Sequence, residues 1–185
     1  MIDAELRRAV LANFPPGTSL GVVAPADKGY SELLSARGDG AALVVLADGK
    51  APSADALVSL EHVLLEGVDD VEDPVGLLRS VRAAAPSARL FLVIANAAYA
   101  RSLLAFFDGA PLARAHPLVG SEIEPLLAAA GWRPLAINPI ADESIPADQA
   151  LPFELTTPNM CIKISDSAML ERTRTRAFIV IADRT

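Results

Sequence analysis

The chain has 185 residues, of which 52% are hydrophobic, and its 16 Lys and Arg against 23 Asp and Glu give a net charge of −7. Such a chain can bury one core, so we expect a single domain over residues 1–185. The negative charge would repel a phosphate backbone and argues against nucleic acid as a partner. One cysteine, Cys161, excludes an internal disulfide, and with two histidines we expect no metal site.

The apolar runs of the sequence are short, about four to seven residues, whereas roughly 20 are needed to cross a bilayer. We therefore expect no membrane partner. The first residues, Met1 to Glu5, are acidic and lack the basic and apolar stretches of a secretory signal. These features predict a soluble protein of the cytoplasm.

The first half of the chain predicts a helix and then strands that alternate with helices. The N-terminal segment 1–16 is predicted to be a helix from Ile2 to Phe14, since Leu6, Val10 and Leu11 share one side and the prolines at 15 and 16 end it. The elements that follow are a strand at 20–24, a loop at 25–29, a helix at 30–36 and a strand at 42–47. Residues 56–60 and 62–65 fit either two short strands or one strand and a helical turn, and we prefer two strands.

The second half begins with a clear helix start, where Asp73 is an N-cap and Pro74 stands in the first helical position. Ser121 and Glu124 have the spacing of a capping box, and Gly131 is placed to end that helix. The elements predicted here are helices at 74–85, 99–107 and 121–130, strands at 90–95, 135–137 and 177–182, and a long loop at 141–158.

Alternating strands and helices with short connections predict an α/β fold, a doubly wound and mostly parallel sheet with helices on both faces. Ligands of such sheets bind at the carboxyl ends of the strands. The candidate site is therefore expected at residues 24–29, 48–50, 66–70 and 96–99.

Several motifs occur in an order that is typical of one family. They are an acidic stretch ending in Asp73-Pro74, a helix, a strand ending in Ile94-Ala95-Asn96, then His116, Ser121 and Ala130-Gly131-Trp132. In this order they resemble the central part of class I S-adenosylmethionine-dependent methyltransferases, over roughly residues 20–140. The resemblance implies a Rossmann-like fold with an antiparallel final strand, and S-adenosylmethionine as the cofactor.

The cofactor loop departs from the family pattern. Aligning the helix at 30–36 with the family's first helix puts Val22 at its acidic position and Ala24, Ala26 and Lys28 at its three glycines. Glycine is used there because the backbone approaches the cofactor and no Cβ fits. The motif is therefore degenerate.

The resemblance nevertheless implies a set of cofactor-binding residues. Asp48, at the end of the second strand, stands where the family's acidic residue accepts hydrogen bonds from the ribose hydroxyls. The other positions carried over are those of the loop after the first strand and those at the start of the acidic stretch that ends in Asp73-Pro74. The full set is Ala24, Ala26, Asp27, Gly29, Asp48, Glu66 and Gly67.

Three residues are implied for substrate binding: Asn96, Tyr99 and His116. Two of them have an alternative, since Asn96 could only cap the following helix and His116 could be a loop histidine with one hydrogen bond rather than a general base. The acidic residues at 69, 70, 72 and 73 are better explained by helix capping and a solvated loop than by a metal site. The sequence identifies no catalytic residue.

Two functions from different classes fit these observations. One is a methyltransferase acting on a small molecule or a sugar-containing substrate, because methyl transfer from a sulfonium can proceed mainly by positioning. The other is a catalytically inactive methyltransferase-like domain that serves as a scaffold for a protein partner. An exposed apolar edge at 177–182 would also permit a homodimer. Whether the protein is an enzyme stays open at this point.

Overall fold

The computed structural model describes residues 2–24, 26–27, 29–38, 41–45, 57–111 and 115–185. The strands in this part of the chain are β1 Leu20–Ala24, β2 Ala42–Val45, β3 His62–Glu66, β4 Arg89–Ala95, β5 Trp132–Ala141, β6 Phe153–Thr156, β7 Cys161–Ile164 and β8 Thr175–Arg184. The helices are α1 Ala4–Leu11, α2 Tyr30–Arg37, α3 Pro74–Ala84, α4 Ala100–Phe107, α5 Gly120–Ala129 and α6 Ser167–Arg174, with a 3-10 turn at Val68–Asp70.

Six strands form one sheet in the order β2-β1-β3-β4-β8-β5. The first four are parallel, whereas β8 runs antiparallel to both of its neighbours, β4 and β5. The predicted Rossmann-like sheet with an antiparallel final strand is therefore confirmed. After β1 the chain moves to one side to form β2 and then returns to the other side to form β3. The crevice between the ends of β1 and β3 is thus a topological switch point.

Helices cover both faces of the sheet, as the apolar strands predict. Val22 and Leu64 belong to the core on the α1 and α2 face. Their neighbours in sequence, Val23 and Leu65, belong to the core on the α3 and α5 face. Successive side chains of a strand point to opposite faces, so a strand that is apolar throughout is buried on both.

Local signals placed α3 correctly. The Asp73 carboxylate accepts a hydrogen bond of 2.8 Å from the amide of Gly76, and Pro74 begins the helix. Trp132 lies behind this helix with 1% of its surface exposed, and its indole N–H donates to the Leu78 carbonyl at 3.1 Å. Gly131 precedes it with φ +78°, a left-handed conformation that ends α5 as predicted.

Three predictions about helix ends and turns were wrong. The N-terminal helix spans only Ala4–Leu11. It ends before the prolines because the amide of Asn13 bonds to the carbonyl three residues back, as in a turn, rather than four residues back, as in an α-helix. The cap of α5 is Val119, whose amide donates to the Glu122 carboxylate at 2.9 Å, so Ser121 lies inside the helix. Residues 57–60 form a turn rather than a strand.

The predicted long loop at 141–158 contains a strand, β6, which pairs with β7 as an antiparallel hairpin. Its apolar residues Phe153 and Leu155 alternate with polar ones and pack on a small separate core with Ile164 and Leu170. The prediction was wrong because the Pro and Asp content of the surrounding residues outweighed a short alternating pattern. Pairing with β7 and packing on this core, both from later in the chain, stabilise it.

Candidate functional site

The candidate site is the edge at which β1, β3 and β4 end. Since these strands are parallel, their carboxyl ends meet there. β1 ends at Ala24, β3 at Glu66 and β4 at Ala95, which Asn96 follows. The sequence-predicted residues after these strands are thus brought to one edge. Asp48, the expected ribose ligand, lies outside the described residues, as does Lys28.

The loop after β1 has a polar residue and a glycine at its end. The Asp27 carboxylate accepts from the Ser31 amide at 2.8 Å, so it caps α2. Gly29 has φ +83°, and a Cβ placed on it would meet nothing within 4 Å. Ala26 is exposed, whereas Ala24 is fully buried in the core on the α1 and α2 face. The surface at Gly29 is therefore open to a ligand that approaches the backbone.

Glu66, at the end of β3, is 1% exposed, and among the described residues the side chains of Arg7 and Tyr30 bind it. Arg7 donates from Nε to Oε2 at 2.8 Å and from Nη2 to Oε1 at 2.7 Å. The Tyr30 hydroxyl donates to Oε2 at 2.7 Å. Burial raises the pKa of Tyr30, and the carboxylate raises it further, so the phenol stays protonated. The hydrogen bond to Glu66 raises the pKa of Arg7.

The loop after β3 continues through Gly67, with φ +84°, into the 3-10 turn. The carbonyl of Asp69 accepts from the amide of His116 at 3.0 Å, which places this histidine beside the loop. His116 is exposed, and its Nε2 lies 2.6 Å from the Glu72 carbonyl. A carbonyl can only accept, so Nε2 carries the proton, and Nδ1 of the neutral ring is left as an acceptor.

Asn96 is 2% exposed, and its side chain binds backbone groups. Its amide group donates to the carbonyls of Arg172 at 2.9 Å and Thr175 at 2.7 Å, and its oxygen accepts from the Ala98 amide at 3.1 Å. Helix α4 begins later and has Tyr99 as its N-cap. The amide of Asn96 therefore connects the loop after β4 to the start of β8.

Tyr99 lies next to a carboxylate that sequence reasoning missed. Its hydroxyl donates to Asp142 at 2.6 Å, and Arg101 donates to the same oxygen at 2.8 Å. Burial raises the pKa of Tyr99, and the hydrogen bond to Asp142 adds to this effect. Burial also acts to raise the pKa of Asp142, but hydrogen bonds from Ser144, Tyr99 and Arg101 outweigh it and hold that pKa below its ordinary value.

Three cavities lie away from this edge. One of about 440 Å³ is at the amino edge of the sheet, where Glu61, His62, Arg89 and Asp183 contribute to its lining. Two more, of about 360 and 260 Å³, lie beside α2. Within the described residues, no group of three His, Cys, Asp or Glu side chains is placed to hold a metal ion. The described helices are all too short or too polar to span a membrane.

No protein-family model and no curated protein matches this chain. Solved structures do match it. A SAM-dependent methyltransferase from Archaeoglobus fulgidus has a TM-score of 0.61 and 15% identity, over 96% of this chain and 93% of that one. A methyltransferase in complex with the Haloferax volcanii Trm112 activator has a TM-score of 0.60 and 16% identity, over 96% and 87%.

A third structure, an S-adenosylmethionine-dependent methyltransferase from Mesorhizobium loti, has a TM-score of 0.56 and 13% identity over 98% of both chains. Similarity at these identities reports on the fold and not on the substrate. The sheet order found here, with its antiparallel β8, agrees with this similarity of fold. The chain therefore has the fold of the class I S-adenosylmethionine-dependent methyltransferases, as the order of its sequence motifs implied.

Proposed function

We propose that the protein is an S-adenosylmethionine-dependent methyltransferase that binds its cofactor in the crevice between residues 24–29 and 66–70. The observation that carries this proposal is the switch point between β1 and β3. Each of its two loops contains a glycine of positive φ, Gly29 at +83° and Gly67 at +84°. Backbone without a Cβ on both sides of the crevice suits a ligand that lies against the main chain.

Three described residues of the altered loop support cofactor binding there. Ala24 replaces a family glycine, but it is fully buried in the core, so its Cβ does not narrow the crevice. Ala26 is exposed, and Gly29 faces open space. Asp48 would accept hydrogen bonds from the ribose hydroxyls. S-adenosylmethionine, when bound, supplies a methyl group on a sulfonium, so the protein has mainly to position the acceptor.

The acceptor is proposed to be a small molecule or a sugar-containing substrate that lies near Tyr99 and His116. Tyr99 keeps its proton and donates a hydrogen bond to Asp142, so it serves as a polar group of fixed position that borders the acceptor and not as a base. His116 is exposed and has Nδ1 available to accept the proton of a hydroxyl or amine. On this side, Asn96 is buried and holds the loop after β4 in place, through its hydrogen bonds to the carbonyls of Arg172 and Thr175.

Calorimetric titration of the purified protein with S-adenosylmethionine and S-adenosylhomocysteine tests the proposal. We expect binding in the micromolar range for at least one of them. No heat of binding and no thermal shift at millimolar ligand would exclude a methyltransferase that uses this crevice. Once binding is established, a His116→Gln variant that keeps its affinity for the cofactor but loses turnover would identify His116 as the general base.

A second candidate function, a scaffold for a protein partner, is favoured by a different observation. The carboxylates of Asp27 and Glu66 at the edge are bound within the chain. The Haloferax methyltransferase is in a complex with an activator protein, and a chain without cofactor binding would act through such contacts. Failure of both titrations, together with a partner or a second copy detected by sedimentation, would favour this function. We place it second because the crevice at Gly29 is open.

A further inference from the structure

We infer that Arg7, Glu66 and Tyr30 form a clasp that holds the two loops of the crevice in a fixed relative position, which makes Glu66 a positioning residue and not a cofactor ligand. The inference that the clasp affects cofactor binding rests on the proposed function. The inference that it holds the two loops in position does not, because it concerns contacts within the chain. The two are therefore tested separately.

Glu66 provides the centre of the clasp. Both of its oxygens accept hydrogen bonds from Arg7, and Oε2 also accepts from the Tyr30 hydroxyl. The residue is 1% exposed, so a ligand in the crevice does not reach the carboxylate directly. A buried carboxylate is tolerated only with a charged partner and further hydrogen bonds, and Arg7 and Tyr30 supply these.

Tyr30 connects this carboxylate to the loop after β1. It is the first residue of α2, directly after Gly29, and none of its surface is exposed. Glu66 is the last residue of β3, directly before Gly67. The 2.7 Å hydrogen bond between their side chains therefore joins the two positive-φ turns one residue from each. A shift of either turn would break this bond.

Arg7 extends the clasp to helix α1. Its side chain is 12% exposed, and the guanidinium carbon lies 5.7 Å from the centroid of the Tyr30 ring. Its Nη2 also donates to the Ile2 carbonyl at 3.2 Å. The bidentate ion pair sets the orientation of Glu66, since both carboxylate oxygens are used. The neighbouring Arg8 is exposed and provides a matched comparison on the same helix.

Amide hydrogen exchange measures the clasp without any ligand. In Tyr30→Phe, which keeps the buried ring and removes only the hydroxyl, we expect about tenfold faster exchange at the amides of Leu33 and Asp70. These amides bond to the carbonyls of Gly29 and Gly67 and so report on the two turns. The amide of Ala85, the C-cap of α3, donates to the Val81 carbonyl and should keep its rate.

Further variants separate the clasp from general destabilisation. Glu66→Gln should have the same local effect as Tyr30→Phe, whereas Arg8→Gln and Glu5→Gln, at exposed positions of α1, should have none. Unchanged exchange at both turns in Tyr30→Phe would overturn the inference. Equal acceleration at Ala85 would overturn it too, because the loss would then be global.

Titration of the same variants with S-adenosylhomocysteine gives the second arm. We expect Tyr30→Phe to raise the Kd about tenfold and Arg8→Gln to leave it unchanged. If the wild type binds and Tyr30→Phe binds equally well, the positioning role fails while the proposed function stands. If the wild type does not bind but the exchange pattern is as expected, the proposed function fails and the clasp stands.

Discussion

The Tyr99 hydroxyl donates a hydrogen bond of 2.6 Å to Oδ2 of Asp142, across the carboxyl end of β4. Arg101 donates to the same oxygen, while the amide and hydroxyl of Ser144 donate to Oδ1. Asp142 follows β5 directly, so this carboxylate joins the start of α4 to the segment that leads into the β6–β7 hairpin. The proposed binding position of the methyl acceptor thus depends on this cluster of polar side chains, and substitutions within the cluster should have measurable effects.

Asp142→Asn should lower the free energy of unfolding by about 2 kcal/mol at pH 7, because hydrogen bonds to an ionised group are stronger than those to a neutral one. The pKa of this carboxyl is lower in the folded state than in the unfolded state. Its stabilisation is therefore complete above the unfolded pKa, about 3.9, and is lost as the pH falls toward the folded value. Urea unfolding at pH 7 and in acid should show the gap between wild type and variant shrinking.

The exposed Asp148 lies in the same segment and supplies the control. Asp148→Asn should change stability by less than about 0.5 kcal/mol at either pH. A gap between wild type and Asp142→Asn that stays constant down to acid pH would contradict the assignment.

The two tyrosines of the chain, Tyr30 and Tyr99, should both resist ionisation in the folded protein. Burial and a neighbouring carboxylate raise both pKa values above the ordinary value of 10.0. Their raised pKa values stabilise the fold below pH about 10 and cease to do so as the pH rises further. A pH titration of phenolate absorbance should therefore show no step near pH 10 until the protein unfolds.

The same titration in concentrated denaturant is the control, where both phenols should ionise near pH 10. A step of half the full amplitude near pH 10 in the folded protein would mean that one of the two hydroxyls is not held as described.

Asn96→Asp should destabilise the protein by about 3 kcal/mol at pH 7, since a carboxylate would replace the amide donors that face the carbonyls of Arg172 and Thr175. Acid should recover part of the loss, because the protonated acid is neutral. The surface Asn13 also donates to carbonyls but is exposed, so Asn13→Asp should cost far less. Thermal unfolding at two pH values distinguishes the pair, and equal losses would refute the burial argument.

Gly29→Ala and Gly17→Ala form a matched pair, because both glycines have φ +83° and open space where a Cβ would lie. Each change should cost about 1 kcal/mol of stability from the left-handed backbone alone. Only Gly29 borders the crevice, so only Gly29→Ala should also weaken the binding of S-adenosylhomocysteine in calorimetry. Equal affinities for the two variants would place the ligand elsewhere.

Much of the fold could be predicted from short stretches of sequence. The Asp73-Pro74 pair placed the start of α3, and the apolar run before Asn96 placed β4, because capping and strand burial depend on neighbouring residues. Strand β6 was missed, since its four residues are stabilised by pairing with β7 and by packing on Ile164 and Leu170, which all lie later in the chain. Its alternating pattern was present but short, and the Pro and Asp content of the surrounding residues favoured a loop instead.

The residues at the carboxyl edge were also predictable, because parallel strands must end together. What their side chains do there was not. Glu66 meets Arg7 across 59 positions and Tyr99 meets Asp142 across 43. By itself the sequence determined most elements of the main sheet, the sheet class and the edge where a ligand would bind, all of which follow from local pattern. Only the tertiary structure decided which polar groups form hydrogen bonds with other groups of the chain, because a hydrogen bond depends on distances that sequence separation does not encode.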